Sequence, residues 1–370
     1  MNHDRTRPSG QVRALLAGAA AFAALGPGAT AQGQSPENED RGIEAVAGVA
    51  IGHRTLSERP TGCTVIWVPG GAVGGVDVRG GAPGTVETDL LDPVNTVSVV
   101  HGLFLSGGSA FGLAVRDGLV RALDERDIGF KVGSKNVPIV AGAIIYDLGL
   151  EGETKVRPGP ECGYEASEMA AERMARAESE NPPPPALVGR VGAGAGATVG
   201  KLMGAERAMA GGFGNFAIRM ENGLVVAAAV VVNSVGDVID PGTGEVVAGI
   251  RDPASGELLD ARLVLRGRAA PGRNAAGAGA ALTSLPGANT TIAVVATNAV
   301  LTKAQATKVA QMAQDGIARA IYPAHTPSDG DTVFSLATGT LESGADVMLV
   351  GALAADALAR AIVQAVRTAN

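Results

Sequence analysis

Residues 288–297, Ala-Asn-Thr-Thr-Ile-Ala-Val-Val-Ala-Thr (ANTTIAVVAT), decide how the chain is read. From Thr291 to Thr297 the residues are β-branched or small and apolar, the pattern of a buried strand. Upstream, residues 267–288 (GRAAPGRNAAGAGAALTSLPGA) are rich in Gly, Ala and Pro without an apolar period and read as a mobile surface segment. A hydroxyl residue stands at the junction. Were the peptide bond before Thr290 cut, the new chain end would carry a β-hydroxyl and a free α-amine at the head of a rigid strand. That is a nucleophile with its own general base.

Downstream, Thr302 and Gln305 form a T-x-x-Q capping box for a helix running to Ile321, with Val309, Met312, Ala313 and Ile317 on one face. Residues 325–333 (HTPSDGDTV) are a polar turn carrying two carboxylates, Asp329 and Asp331, ahead of a strand over 332–337. A helix over 350–366 closes the chain. Upstream, Leu224–Asn233 (LVVAAAVVVN) is a central strand ending in an amide. At a strand end Asn233 either donates to a developing oxyanion or caps a turn. Residues 192–202 (GAGAGATVGKL) invite comparison with a phosphate loop, but Ala195 and Leu202 break the Walker pattern, leaving a Gly-rich turn or flexible backbone beside a site.

Val97–Leu105 is a strand feeding the loop Ser106-Gly107-Gly108-Ser109 and a helix over 110–123, with Ser109 as its N-cap. The loop's N–H groups suit an anion or a carbonyl. A serine nucleophile elbow is missed by one residue, at Gly112. Strands over 43–51, 64–68 and 137–145, a long Gly-rich loop over 70–88 and a surface helix over 166–178 complete the reading. Strands and helices that do not alternate in a simple βαβ rhythm indicate layered α/β with mixed or antiparallel sheets.

Only 3 % of the 370 residues are aromatic while 46 % are apolar, so Ala, Val, Leu and Ile must fill the core. A net charge of −7 with no basic cluster in the body of the chain argues against nucleic acid. Cys63 and Cys162 are too few for a disulfide framework or a zinc site; one bridge and two buried thiols both fit. His53, His101 and His325 form no HExxH, and neither metal nor cofactor is expected. At the N-terminus, Arg5, Arg7 and Arg13 precede an apolar run over 14–25 and Ala29-Thr30-Ala31, the pattern of an export signal over 1–31. The mature chain then begins near Gln32 with a polar, disordered stretch to residue 41, and is expected in the periplasm as a soluble protein without a membrane segment.

Six motifs in order resemble the autoprocessing L-aminopeptidase/D-esterase and β-peptidyl aminopeptidase family. They are RGGAPGTVETDLLDP (79–93), LSGGSAFGLAVRDG (105–118), GAGAGATVGKLMG (192–204), VVNSVGDVIDP (231–241), NTTIAVVATNAVLTKAQ (289–305) and DGDTVFSLATG (329–339). The resemblance implies a four-layer α-β-β-α sandwich, similar to ornithine acetyltransferases, as a single catalytic domain over 42–370. It implies self-cleavage between Asn289 and Thr290 into chains 32–289 and 290–370, Thr290 as nucleophile, and Asn233 in the oxyanion hole. Asp329 and Asp331 would orient the Thr290 amine, although aminopeptidases of that family carry Ser-Gly-acid where this chain has Asp329-Gly330-Asp331. Tyr146, Ser106 and Ser109 are candidate substrate-binding positions. The implied partners are a small peptide or amide substrate and further copies, as a homo-oligomer of cleaved heterodimers. An acyltransferase or specialised metabolite amidohydrolase is the alternative enzyme, and an uncleaved binding protein the alternative without catalysis.

Overall fold

The structure, a computed structural model, describes residues 41–150, 155–180, 184–267, 287–342 and 344–370. The expected leader, the polar stretch after it and most of 267–288 lie outside the described residues. Within them, nine strands join in one mixed sheet: β1 (Ala50–Thr55), β2 (Gly62–Val78), β3 (Thr85–Val86), β4 (Val99–Ser106), β5 (Val140–Ile144), β6 (Gly212–Arg219), β7 (Val225–Asn233), β8 (Thr290–Thr297) and β9 (Thr332–Ala337). The order is β6-β7-β8-β9-β2-β4-β5-β3, with β1 on the free edge of β2. The longer helices are α1 (Val115–Asp124), α2 (Pro160–Ser179), α3 (Lys303–Ala320) and α4 (Val347–Ala369).

β2 makes the sheet double back. Its first half, residues 62–67, lies between β1 and β4, while residues 73–78 pair with β9. The ladder with β4 shifts register between Trp67 and Ala72, where Pro69 removes a ladder donor and Gly71 takes a φ of +77°. One strand thus serves two sheet halves that face each other. The alternation along β7 shows the consequence. Val226, Ala228, Val230 and Val232 pack with Val309, Ile317, Leu358 and Ile362 of α3 and α4. Val225, Ala227, Ala229 and Val231 point the other way, into a core between the halves with Ile66, Leu103 and Leu105. Beyond, α1 and α2 cover Val65, Trp67 and Phe104. The architecture is α-β-β-α, and its three cores are built mostly of small aliphatic side chains.

The helix at 302–321 and the strand at 332–337 fall where expected, and the capping box of Thr302 and Gln305 is formed. α4 extends to Val347–Ala369, with Asp346 accepting the Met348 N–H as its cap. Its mean hydropathy of 1.6 over 18 residues would also suit a bilayer span; here its apolar face lies on the sheet.

Three expectations are corrected. Residues 70–78 are strand, not loop: their glycines admit close packing, since a Cβ on Gly75 would stand 2.4 Å from the Thr307 backbone nitrogen of α3. Residues 43–51 divide into a helical turn over Gly42–Ala45 and β1, because Gly42 (φ +51°) and Gly48 (φ +84°) turn the chain. Ser109 caps nothing; it sits at φ +54° inside a three-ten turn, Ser109–Ala114, behind Gly108. The two cysteines are joined as a disulfide between β2 and α2, with Cα atoms 6.2 Å apart.

Candidate active site

The strand register creates the site. β7 and β8 are antiparallel with Asn233 opposite Thr290, and β8 and β9 are parallel with Ile292 opposite Thr332. The end of β7, the start of β8 and the turn before β9 therefore meet at one end of these three interior strands. Residue 289 forms a bridge with Asp329, carrying the pairing one step beyond the strands.

The residues around the Asn289–Thr290 peptide bond are buried: Asn289 is 1 %, Thr290 2 %, Asn233 0 % and Asp329 2 % exposed. The Thr290 hydroxyl donates to the Asn289 carbonyl oxygen, which also accepts the Gly330 N–H at 2.9 Å. Gly330 can come this close because it has no side chain; a Cβ there would stand 2.9 Å from Thr290 Oγ1 and 3.0 Å from the Ala82 carbonyl. The Ala82 N–H in turn donates to the Asp329 carbonyl at 2.8 Å, and Arg79 and Gly80 donate to that of Asp331. The Gly-rich segment 79–82 thus clamps the acidic turn.

One residue upstream, the Ala288 carbonyl accepts Lys201 Nζ at 3.1 Å and Asn233 Nδ2 at 3.4 Å. Asn233 Nδ2 also donates to the Tyr146 carbonyl, 3.1 Å away. Asn233 Oδ1 accepts the Thr198 N–H at 3.0 Å and Lys201 Nζ at 2.9 Å. Lys201 Nζ finds its third acceptor in the Asn233 carbonyl at 3.0 Å.

The two aspartates differ. Asp331 is consumed by structure: Oδ1 accepts the Thr291 N–H at 2.7 Å, and Oδ2 receives the His325 N–H at 3.0 Å and faces its Nδ1 at 2.9 Å. It holds the residue after Thr290 rather than the Thr290 nitrogen. Asp329 accepts the Thr326 N–H through Oδ2 at 2.8 Å, while Oδ1 is buried without a partner among the described residues. Burial, and then the neighbouring Asp331 charge, push the Asp329 carboxyl up to about 6, against the Thr326 hydrogen bond and the Lys201 charge. Burial pulls the Lys201 ammonium down to about 7, with Asp329 opposing. Burial thus moves the two groups toward neutrality from opposite sides.

Thr290, Asn289, Asn233, Asp329 and Asp331 are all brought together, from segments far apart in sequence. Tyr146 reaches the site through its backbone carbonyl, its side chain being half-buried. Ser106 and Ser109 do not reach it: the Ser106 hydroxyl donates to the Gly107 carbonyl at 3.0 Å, and the loop is tied through the Gly108 N–H to Asp147 at 2.9 Å. Asp147, next to Tyr146, also accepts the Thr61 hydroxyl at 2.5 Å. Three residues were missed. Lys201 entered the sequence reading only as a failed phosphate-loop lysine, Gly330 as a turn residue and His325 as a polar neighbour. The available signal was a single lysine inside an otherwise small and apolar run, GAGAGATVGKL.

A family model described as peptidase family S58 matches residues 42–370. A protein of Mycobacterium leprae named as an uncharacterized aminopeptidase is 42 % identical over 302 residues, 80 % of this chain and 77 % of its own length. A 6-aminohexanoate-oligomer endohydrolase of Paenarthrobacter ureafaciens is 31 % identical, over 78 % of this chain and 72 % of that one. In fold, the chain is similar to the L-aminopeptidase D-Ala-esterase/amidase of Ochrobactrum anthropi, a variant of the Ntn hydrolase fold. The TM-score is 0.61 at 18 % identity, covering 89 % of this chain and 86 % of that one.

Proposed function

The chain belongs to peptidase family S58, and from that premise we propose a self-cleaving aminopeptidase or amidase whose nucleophile is Thr290. One observation carries the reading: the buried Thr290 hydroxyl lies against the carbonyl of its own preceding residue, which the Gly330 N–H also holds, while Asn233 and Lys201 hold the carbonyl one residue upstream. In maturation Thr290 Oγ1 adds to the Asn289 carbonyl carbon and the C–N bond breaks. The hydroxyl proton ends on the freed nitrogen, leaving an ester between Asn289 and Thr290. Water hydrolyses that ester to an Asn289 carboxylate, a free hydroxyl and a free α-amine.

Substrate reaches Thr290 only after residues 287–289 move aside, since the intact chain buries it. Oγ1 then attacks the substrate's acyl carbon, its amine leaves, and water or another amine takes up the acyl group. The new α-amine, with a reference pKa of ~7.7–8.0, and Lys201, lowered to about 7, both transfer protons near neutral pH. Asn233 Nδ2 serves the substrate oxyanion. The endohydrolase relative favours a second substrate reading, internal amide bonds of linear ω-amino-acid oligomers. The leader pattern and the Cys63–Cys162 bridge both suit an exported protein in an oxidising compartment. The working form is a homo-oligomer of cleaved heterodimers.

Amine release from L-, D- and β-alanyl p-nitroanilides and from 6-aminohexanoate oligomers tests the proposal. The wild type is expected to hydrolyse at least one of them, and Thr290→Ala to lose more than about a thousandfold. Cleavage inside the oligomers without release from the anilides selects the endo-amidase reading. An active Thr290→Ala protein contradicts the nucleophile.

A further inference from the structure

Two consecutive carbonyls at the processing site are held from opposite sides by different donors. The Asn289 oxygen accepts the Gly330 N–H from the turn before β9 at 2.9 Å. The Ala288 oxygen points toward the end of β7, to Lys201 Nζ at 3.1 Å and Asn233 Nδ2 at 3.4 Å. Extended chain explains the split: residue 289 is bridged to Asp329 like a strand residue, and successive peptide groups of a strand face opposite neighbours. A donor set aimed at one carbonyl therefore cannot serve the next without the chain sliding by one residue.

We infer that self-cleavage and turnover use different oxyanion donors: the Gly330 N–H holds the Asn289 oxygen during chain cutting, while Asn233 and Lys201 are plugged by the Ala288 carbonyl until the tail departs. This rests on the reading of Thr290 as a self-cleaving nucleophile and assigns Gly330 a part in it. As Thr290 Oγ1 bonds to the Asn289 carbon, the C=O π electrons move onto the oxygen, and the donor nearest that oxygen besides Thr290 itself is the Gly330 N–H. When the C–N bond breaks those electrons return to reform the carbonyl of the ester. Asn233 is 3.4 Å from the wrong oxygen for this step. The intact chain is thus inactive twice over, its nucleophile locked in an amide environment and its substrate donors occupied. The Gly330 position also explains the missing side chain, since a Cβ would press on the attacking oxygen.

The test is a time course of chain cutting during cell-free translation, followed by gel and intact mass. Replacing Gly330 by glycolic acid turns its amide into an ester and removes the N–H without adding a Cβ; cutting is expected to slow at least about tenfold. Asn233→Asp keeps the acceptor for Thr198 and Lys201 but loses the Nδ2 donors, and is expected to slow cutting less than about threefold, with Asn233→Ala ranking the same way. Slowing by Asn233→Asp equal to or greater than that of the Gly330 ester overturns the inference. A wild type that stays uncut, or a Thr290→Ala chain that is cut, overturns the underlying reading instead, so the two failures are distinguishable. Thermal melting of each uncut chain in a Thr290→Ala background separates a slow step from a misfolded one.

Discussion

Arg173 and Lys201 are two cations of this molecule held under opposite regimes. Arg173 is a buried residue of α2, where its Nε donates to Glu44 Oε1 at 3.0 Å and Nη2 to the Pro185 carbonyl at 2.9 Å. Glu44 also lies near the start of β1, accepting the Ile51 N–H at 3.4 Å, and the pair anchors the chain's entry into the fold. Lys201, at the head of β8, forms no salt bridge among the described residues and is held by three neutral oxygens. A guanidinium keeps its charge in any such setting, whereas an ammonium denied a carboxylate gives up its proton. Burial takes Lys201 down to about 7. One cluster is built to stay charged and the other to change charge.

The largest separation of the two is expected from removing each cation. Lys201→Met is expected to slow substrate turnover by at least about a hundredfold with little change in the melting temperature of the uncut chain, because a buried ammonium without an ion partner adds little to stability. Arg173→Met is expected to do the reverse: breaking a buried pair while leaving Glu44 unpaired costs about 3–5 kcal/mol, read by denaturant unfolding, while cutting persists in the folded fraction. If both substitutions cost stability alike, the contrast fails.

Protons give the next effect. In an uncut Thr290→Ala chain, Lys201 titrates near 7 when folded and near the reference value of 10.5 when unfolded. Between those values the unfolded chain holds the proton that the folded one lacks, so stability rises with pH across the window, by up to about 1.4 kcal/mol per pH unit. Lys201→Met removes that slope. Beside Arg173, His53 donates to or accepts from Thr64 at 2.9 Å and packs edge-on to Phe213, and burial drives its pKa down to about 3. Unfolding lets it protonate at the ordinary 6.5, so stability falls as pH drops from 6.5 toward 3, with a slope of similar size. The site cluster therefore costs stability toward acid from the alkaline side, and the Arg173 cluster does so below neutrality. Melting curves across pH 4 to 10, as a rough span, check both.

The smallest expected effect is Gly330→Ala. Its Cβ would stand 2.9 Å from Thr290 Oγ1 and 3.0 Å from the Ala82 carbonyl, so a neighbour must shift, and cutting is expected to slow about tenfold. Unchanged cutting would mean that the turn gives way freely.

Where local chemistry decides conformation, the chain could be read directly. β8, β9 and α3 have unbroken apolar periods and a formed capping box, and they fall within a residue or two of their expected bounds. Where glycine serves packing rather than turning, the reading failed. Residues 70–78 look like a loop because Gly74 and Gly75 suggest no strand, yet their missing side chains admit Leu91 and the backbone of α3. β6 escaped notice for the same reason: a Cβ on its Gly214 would strike the Ala361 carbonyl of α4 at 1.9 Å. At the site, Thr290, Asn233 and the two aspartates stand at strand ends or in polar turns, but it was the motifs resembling the aminopeptidase family that singled them out as candidates. Lys201 and Gly330 were not singled out, since their chemistry comes from what the fold sets beside them: three carbonyl-type oxygens around an ammonium, and a threonine hydroxyl against a bare Cα.

Every role proposed for the site depends on the chain cutting itself before Thr290. Intact mass and N-terminal sequencing of the protein made alone, without added protease, measure that directly. The predicted result is two chains, the smaller beginning Thr290-Thr291-Ile292, and a single uncut chain for Thr290→Ala. A wild type that remains one chain through residue 370, or a cut that falls at another bond, would contradict it.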